Sequence, residues 1–238
     1  MEGTSIRATE LNAEFGVSGV LDFAETEHGL VKAAISLGAA TGELFLQGAQ
    51  VTAWRPTDER PVLFTSPNSA FAPGRAIRGG VPIVFPWFGA SRHTPTAPQH
   101  GFARTAMWHL DKVEAAGGES VTLTLSLGDG DVGSPFWPER FRAIYTVTFG
   151  RTLSLRLAVQ NRATHPIGVE EALPTSRSPT LLRSRSPASP APLTSTRPTR
   201  AAASRRPRVS SRSRRRPTAS TSIRLGSASS RIAAGAAG

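Results

Sequence analysis

The sequence predicts an all-β protein, an antiparallel sandwich or barrel built from many short strands. Residues 121–127 read Val-Thr-Leu-Thr-Leu-Ser-Leu, an alternation of apolar and polar side chains that marks a strand with one buried face. Residues 153–159 repeat this alternation. No stretch of about twelve residues carries apolar side chains at helical spacing. Short strands separated by turn residues favour this class over an alternating α/β fold.

The other predicted strands follow the same logic. The short candidates are bounded by Gly, Pro or Asp and lie at residues 31–35, 43–46, 51–54 and 62–64. A longer strand at residues 141–149 alternates in the same way and is followed by Gly150 and Arg151. A glycine in the first position suits a tight hairpin. These two residues are therefore predicted to form a two-residue loop that leads into the strand at 153–159.

Charge divides the chain of 238 residues near residue 172. Residues 1–172 contain 14 Lys and Arg against 17 Asp and Glu, whereas residues 173–238 contain 14 Arg and no acidic residue, so the net charge of +11 arises in the C-terminal part. Every Phe, Trp and Tyr lies at or before Phe149. A segment with so little apolar surface cannot offset the entropy of ordering its backbone, so we expect a disordered tail rich in Arg, Ser and Pro. A uniformly basic, nucleic-acid-binding globule is excluded.

The composition also excludes other classes of protein. The sequence has no cysteine, which rules out a disulfide framework, a thiolate nucleophile and a cysteine zinc site. No metal site is predicted at four histidines that have no second histidine at i+2 or i+4, namely His28, His93, His109 and His165. No apolar run approaches the roughly 18 residues of a membrane-spanning helix, and the N-terminus does not resemble a signal peptide. We expect a cytoplasmic monomer without membrane contact.

A loop-like region at residues 74–108 is dense in residues that suit a small-molecule site. Arg78 and Arg104 can hold an anion through charge-assisted contacts, and Gly79 and Gly80 leave room for a ligand close to the backbone. Apolar faces for a sugar ring, with hydrogen-bonding groups beside them, are supplied by Trp87, Phe88, Phe102, Gln99 and His100. The alternative is that the glycines only shape turns and both arginines are solvated.

Two ordered motifs stand in this region, Arg78-Gly-Gly-Val-Pro-Ile and Pro98-Gln-His-Gly-Phe-Ala-Arg. Together with shorter matches at 48–56, 63–67, 71–77 and 168–173, they resemble the hexose-6-phosphate mutarotases, or glucose-6-phosphate 1-epimerases, of the aldose 1-epimerase family. The resemblance covers roughly residues 28–173. It implies an antiparallel β-sandwich of the galactose mutarotase-like type, here truncated. Residues 1–173 are then a partial sandwich, and residues 174–238 are a low-complexity basic tail.

The resemblance implies an activity and a set of site residues. Enzymes of this family interconvert the α and β anomers of a hexose 6-phosphate without a cofactor, by acid/base opening and closing of the sugar ring. Arg78, Gln99 and Arg104 match family positions that contact the substrate, with the phosphate held by arginines. His100 matches a histidine close to the sugar oxygens and has a supporting role. A hexose 6-phosphate is therefore the expected ligand.

The sequence departs from the family at the catalytic acid. The family histidine lies in a segment resembling Glu-Ala-Leu-His-Thr-Tyr-Phe, where this chain has Pro174 in the sequence Glu-Ala-Leu-Pro-Thr-Ser. The glutamate base has no counterpart either, and the adjacent Glu170 and Glu171 face opposite sides of a strand and cannot act as a pair. The chain as written is expected to be impaired or inactive.

A shift of reading frame explains this departure. Codons such as ACC-TAC-TTC for Thr-Tyr-Phe, read one base late, yield Pro-Thr-Ser, the residues found at 174–176. A GC-rich gene read out of frame also yields Arg, Pro, Ser and Ala, the composition of the tail. We therefore expect the residues from about 174 onward to be out of frame.

Two other functions are compatible with the sequence. The first is a non-catalytic binder of sugar phosphates, which Arg78, Gln99 and Arg104 permit without the acid and base. The second is binding of nucleic acid through the arginine clusters of the tail. Because the tail lacks aromatic residues and acids, such binding would have no sequence preference, and no specific nucleic-acid partner is expected.

Overall fold

A computed structural model describes residues 7–91, 94–132, 136–178 and 218–225. Within these ranges the chain forms two antiparallel sheets, which confirms the predicted all-β class. The first sheet has four strands in chain order: β1 (Leu21–Glu25), β2 (Val31–Ser36), β3 (Ala40–Phe45) and β4 (Gln50–Pro56). The second has five, also in chain order: β5 (His109–Ala116), β6 (Ser120–Gly128), β7 (Phe141–Phe149), β8 (Leu153–Asn161) and β9 (Thr218–Leu225).

The alternating apolar side chains seen in the sequence form the core-facing side of the second sheet. The apolar side chains of β6 at 121, 123, 125 and 127 are fully buried, as are those at alternate positions of β7 and at the start of β8. The intervening threonines are partly exposed on the opposite face, where the hydroxyls of Thr122 and Thr148 share a hydrogen bond of 2.9 Å. Period-two burial therefore places one face of the sheet in the core. Of the shorter predicted strands, residues 62–64 form only an isolated bridge, at Leu63.

The hairpin between β7 and β8 differs from the prediction. Thr148 pairs with Ser154, so Arg151 lies midway and the loop has an odd number of residues, 150–152. The predicted two-residue loop is therefore wrong. With one residue fewer, Ser154 would occupy the core position held by Leu155, because a shift of one residue moves every side chain to the other face. Burial of the leucines of β8 thus selects the longer loop.

Two short helices complete the described part. Helix α1 (Ala8–Phe15) buries only Leu11, so it shows no apolar stripe that the sequence could reveal. Its Asn12 side chain instead exchanges two hydrogen bonds, of 2.7 and 2.8 Å, with the backbone of Phe23 in β1. Helix α2 (Asp129–Val132) links β6 to β7. Neither helix has the length and apolar character that crossing a membrane would require.

Strand β9 corrects the expectation that the whole tail is disordered. It pairs with β8 from Thr218 opposite Gln160 to Leu225 opposite Leu153. Its sequence, Thr-Ala-Ser-Thr-Ser-Ile-Arg-Leu, places Leu225 in the core with 1% of its surface exposed. A short stretch with β-branched residues and two apolar side chains at alternate positions is sufficient to pair with the edge of β8. The rest of the tail, residues 179–217 and 226–238, lies outside the described residues.

The two sheets meet at Gly42 in β3 and Phe149 in β7. A Cβ atom at Gly42 would lie only 2.4 Å from Cε1 of the Phe149 ring, so the ring occupies the space where a side chain would be. Close by, the indole Nε1–H of buried Trp54 donates a hydrogen bond of 3.2 Å to the carbonyl oxygen of Gly150. One aromatic ring in a glycine notch and one buried hydrogen bond are thus direct contacts between the first sheet and the β7–β8 hairpin.

Gly42→Ala is expected to lower the free energy of unfolding by about 1–3 kcal/mol, because the Phe149 ring is fully buried in a packed core and cannot move aside. Urea denaturation measures this change. Gly38→Ala is the matched control, since a Cβ there meets nothing within 4 Å. Equal losses in the two variants would show that the notch is unimportant.

Candidate functional site

Residues 80–86 form the backbone segment to which the loops of the predicted site are joined. The N–H of Val81 donates to β4 at 2.9 Å, which ties this segment to the first sheet. On its other side, Val84 and Ala172 exchange backbone hydrogen bonds of 2.9 and 3.1 Å. The segment thus lies between β4 and the chain that contains the expected catalytic position.

The loop after this segment brings Gln99 and Arg104 together. The backbone N–H of Phe102 donates a hydrogen bond of 3.1 Å to the carbonyl oxygen of Phe85, and this bond anchors the loop. Arg104 Nη2 donates a hydrogen bond of 2.7 Å to the backbone carbonyl oxygen of Gln99. Partial burial removes water from this guanidinium and lowers the pKa of Arg104 below its usual value. Within the described residues no carboxylate pairs with the cation.

His100 lies in the same loop with a defined ring orientation. Its backbone has φ of 64°, and its N–H donates to the carbonyl oxygen of Gly89 at 2.7 Å. In return, the Gly89 N–H donates to Nδ1 of the imidazole at 3.1 Å. Because Nδ1 is the acceptor, the neutral ring carries its proton on Nε2. His100 can therefore donate a hydrogen bond from Nε2.

Arg78 lies on a second loop, residues 72–80. Its backbone N–H donates to Ser69 Oγ at 3.1 Å, and its carbonyl oxygen accepts from the N–H of Ser66 at 2.9 Å. The side chain is exposed, and its guanidinium has no hydrogen-bond partner in the described part of the chain. The backbone is thus held in place while the charged group remains available to an anion.

The glycines beside Arg78 serve packing rather than ligand approach. Gly80 has φ of 59°, and a Cβ there would lie 2.2 Å from the carbonyl oxygen of Val51. At Gly79 the same atom would lie 2.4 Å from the carbonyl oxygen of Phe64. The protein's own backbone fills the space that the sequence analysis reserved for a ligand, so that expectation is wrong.

The proposed aromatic platform is also mostly core. Trp87 and Phe102 are 9% and 8% exposed, and their rings pack edge to face at 6.0 Å. The indole N–H of Trp87 is occupied by the carbonyl oxygen of Pro98 at 2.9 Å. Phe88 differs, since it is partly exposed and its ring centroid lies 5.1 Å from that of His100. Of the three aromatic residues, Phe88 is therefore the one accessible beside His100.

The adjacent glutamates Glu170 and Glu171 face different neighbours, as their spacing predicts. Glu170 Oε2 accepts the backbone N–H of Phe88 at 2.9 Å. Glu171 Oε1 accepts from the hydroxyl of Thr221 in β9 at 2.6 Å, and its Oε2 is buried without a partner. Burial raises the pKa of Glu171, an effect that the Thr221 hydrogen bond partly offsets.

Pro174 lies in the chain segment that runs beside residues 80–84. Two backbone bonds, from Ala172 to Val84 and from Ser176 to Gly80, set an antiparallel register in which Pro174 faces Pro82. The expected acid position is therefore adjacent to the loop of Arg78. Proline contributes neither a side-chain proton nor a backbone N–H there.

The remaining described histidines each lie beside a surface carboxylate, His28 beside Glu27 at 3.3 Å. His109 pairs with Asp131 at 2.9 Å and His165 with Glu139 at 2.7 Å, both at the surface. His93 lies outside the described residues.

Sequence reasoning missed two buried residues that hold the Arg78 loop, Gln47 and Gln50, which are 3% and 0% exposed. Gln50 lies within a motif that matched the family, but nothing local in the sequence indicates that either amide is buried.

Comparison with known proteins agrees with this fold. The profile of the aldose 1-epimerase family matches residues 35–172. A protein of Escherichia coli strain K12, provisionally named a glucose-6-phosphate 1-epimerase, is 36% identical over 137 residues, which cover 58% of this chain and 43% of that protein. The chain thus spans less than half the length of this curated relative.

Solved structures of similar proteins show the same fold. A crystal structure of a Salmonella typhimurium protein, provisionally named a mutarotase, aligns with a TM-score of 0.61 at 30% identity. The alignment covers 67% of this chain and 52% of the Salmonella chain. A galactose mutarotase-like protein from Clostridium acetobutylicum shares the fold, with a TM-score of 0.50 at 12% identity and coverage of 64% and 53%. The two sheets are those of a galactose mutarotase-like sandwich. The chain belongs to the aldose 1-epimerase family.

Glu171→Gln is expected to stabilise the protein at neutral pH. A carboxyl whose pKa is raised on folding binds its proton more tightly in the folded state. The wild-type protein therefore loses stability as the pH rises from 4.5, the ordinary pKa of a glutamate, towards the raised pKa of Glu171. The amide removes this loss and can still accept the Thr221 hydrogen bond. Unfolding free energies measured between pH 4 and 8 test this, with exposed Glu119→Gln as control. Parallel profiles for wild type and Glu171→Gln would contradict it.

Proposed function

We propose that this chain binds a hexose 6-phosphate and, as written, does not catalyse the exchange of its anomers. The observation that carries the proposal is the state of Arg104. Its guanidinium is half buried, desolvated enough to lower its pKa, and bonded to the backbone carbonyl oxygen of Gln99 rather than to a carboxylate. A partly desolvated cation without a counter-ion favours an anionic ligand, and a phosphate monoester supplies one.

The neighbouring groups suit the rest of such a ligand. The exposed guanidinium of Arg78 offers a second positive charge, and arginine can bind phosphate oxygens with two parallel hydrogen bonds. His100 lies in the same loop as Arg104, where its Nδ1 accepts the Gly89 N–H. The partly exposed ring of Phe88 lies beside it. Charge for the phosphate and an aromatic face for the sugar are thus both present.

Catalysis requires more than these groups. Opening the ring needs one group to take the proton from the C1 hydroxyl and another to protonate the ring oxygen. Pro174 supplies neither, and the sequence contains no acidic residue after Glu171. Glu170 Oε2 is bonded to the Phe88 backbone N–H. These observations favour a binder of sugar phosphates that lacks the acid/base pair.

Arg104→Ala is expected to weaken the binding of glucose 6-phosphate by roughly 10- to 100-fold, the equivalent of about 1.5–3 kcal/mol for a charge-assisted hydrogen bond. Binding of unphosphorylated glucose should change far less. Isothermal titration calorimetry with both ligands measures the difference, and Arg78→Ala tests whether the second arginine shares the phosphate.

Arg156→Ala is the matched control, because Arg156 is exposed on β8 in the second sheet. It removes the same charge and should leave the affinity for glucose 6-phosphate unchanged. Equal weakening of glucose and glucose 6-phosphate by Arg104→Ala would overturn the phosphate role.

The 238-residue chain is expected to leave the α/β exchange of glucose 6-phosphate near its spontaneous rate, since each missing acid or base contributes about 10²- to 10⁴-fold. A version translated in the frame that restores His-Thr-Tyr-Phe from position 174 should accelerate it. NMR saturation transfer between the two anomeric protons measures the rate. A clear acceleration by the chain as written would show that the catalytic groups lie elsewhere.

The nucleotide sequence around codon 174 provides a separate test of the frame. A shifted frame that encodes His-Thr-Tyr-Phe and further strand-like segments is the expected result. Its absence would make the Arg- and Ser-rich tail a genuine coding segment.

A further inference from the structure

A tight turn at residues 46–49 joins β3 to β4, and two buried glutamines, Gln47 in the turn and Gln50 at the start of β4, direct their amides to the loop of Arg78. Gln47 is 3% exposed and Gln50 is fully buried. Both side chains are committed to backbone groups of residues 72–79, a stretch that belongs to neither sheet. Side-chain amides here take the place of backbone pairing.

Gln47 holds the first half of the loop. Its Nε2 donates to the carbonyl oxygens of Arg75 at 3.0 Å and Ala72 at 3.3 Å, while its Oε1 accepts the N–H of Gly74 at 2.7 Å. One buried amide therefore binds three backbone groups in four consecutive residues. Neither an apolar nor a carboxylate side chain can replace both its donor and its acceptor.

Gln50 holds the second half and brackets Arg78. Its Nε2 donates to the carbonyl oxygen of Ile77 at 3.1 Å and to that of Gly79 at 2.7 Å. Those are the residues immediately before and after Arg78. Fixing the backbone on both sides limits the positions that the guanidinium can reach, although the side chain itself is exposed.

The same turn contacts the loop of Arg104. Gly48 has φ of 74°, its N–H donates to the carbonyl oxygen of Ala106 at 2.7 Å, and a Cβ there would lie 2.6 Å from the carbonyl oxygen of Arg104. A second link follows at Trp108, whose N–H donates to the carbonyl oxygen of Leu46 at 3.1 Å. One turn is thus bonded to both arginine-bearing loops.

We propose that Gln47 and Gln50 are positioning residues that set the placement of Arg78 relative to Arg104, and so determine how well the site accepts a phosphorylated sugar. This inference rests on the proposed binding of hexose 6-phosphates. The five hydrogen bonds act through Arg78, because neither glutamine would itself contact the phosphate. Loss of one amide leaves the guanidinium present but free to take many positions, and the entropy of ordering it then opposes binding.

Gln50→Met tests the inference, because methionine has a similar length but donates to neither carbonyl group. The dissociation constant for glucose 6-phosphate is expected to rise about tenfold, a coupling typical of residues in contact. Gln160→Met is the matched control, since Gln160 is exposed on β8, and it should leave the dissociation constant unchanged. Unfolding midpoints of both variants report whether the fold is intact.

A double-mutant cycle with Arg78→Ala separates positioning from a purely structural role. If Gln50 acts through Arg78, the double variant binds glucose 6-phosphate no more weakly than Arg78→Ala alone. Full additivity, or an unchanged affinity in folded Gln50→Met, would overturn the inference. Failure of the wild-type protein to bind glucose 6-phosphate is a different result, because it refutes the proposed function.

Trypsin supplies a readout that needs no ligand. Cleavage after Arg75 and Arg78 is expected to be slow in the wild type and faster in Gln50→Met and Gln47→Met, but not in Gln160→Met. Unchanged cleavage in folded variants would show that the amides do not hold the loop. If Gln50→Met fails to fold, Gln47→Met takes its place in the cycle with Arg78→Ala.

Discussion

The backbone hydrogen bonds of residues 80–86 are the constraint on which the rest of the site depends. The segment lacks the regular pairing of a long strand, yet it is buried, and buried N–H and C=O groups must find partners. It finds them in β4, in the chain around Ala172 and in the loop around Phe102. Each of these partners leads to a residue of the candidate site. Satisfying one buried segment therefore gathers loops that are distant in sequence.

The electrostatics of the site contrast with those of the chain around it. Residues 1–172 have more acidic than basic side chains, yet the described neighbours of Arg104 supply it with a carbonyl oxygen and no carboxylate. A guanidinium in that setting has lost water without gaining a counter-ion. Under the proposed function, binding of a phosphate would recover this cost and couple the stability of this loop to occupancy of the site.

In the proposed function, binding and proton transfer depend on separate parts of the chain. The charged groups lie on loops joined to the first sheet through β4 and the turn before it, whereas the expected acid position lies beyond them, at Pro174. The replacement of the family histidine by Pro174 therefore removes the expected acid but not the arginines proposed to bind the phosphate. The partly buried Glu171 lies near that position but faces Thr221 of β9 rather than His100. In the proposed function, a sugar phosphate is thus held without reaction.

The sequence by itself determined most of the strands, but not β1, β5 or β9, and it supplied the candidate site residues. Alternation at 121–127 and 141–149 is a local property that survives in the folded protein because one face of each strand is buried. The motifs around Arg78 and Arg104 are likewise contiguous. Only the tertiary structure decided which neighbours these residues have. The burial of Trp87 and Phe102, the extra residue in the loop after β7, the pairing of β9 and the amides of Gln47 and Gln50 each depend on contacts between distant residues. A pattern of neighbouring side chains cannot encode such contacts, because they arise from packing and from the need to satisfy buried polar groups across the whole chain.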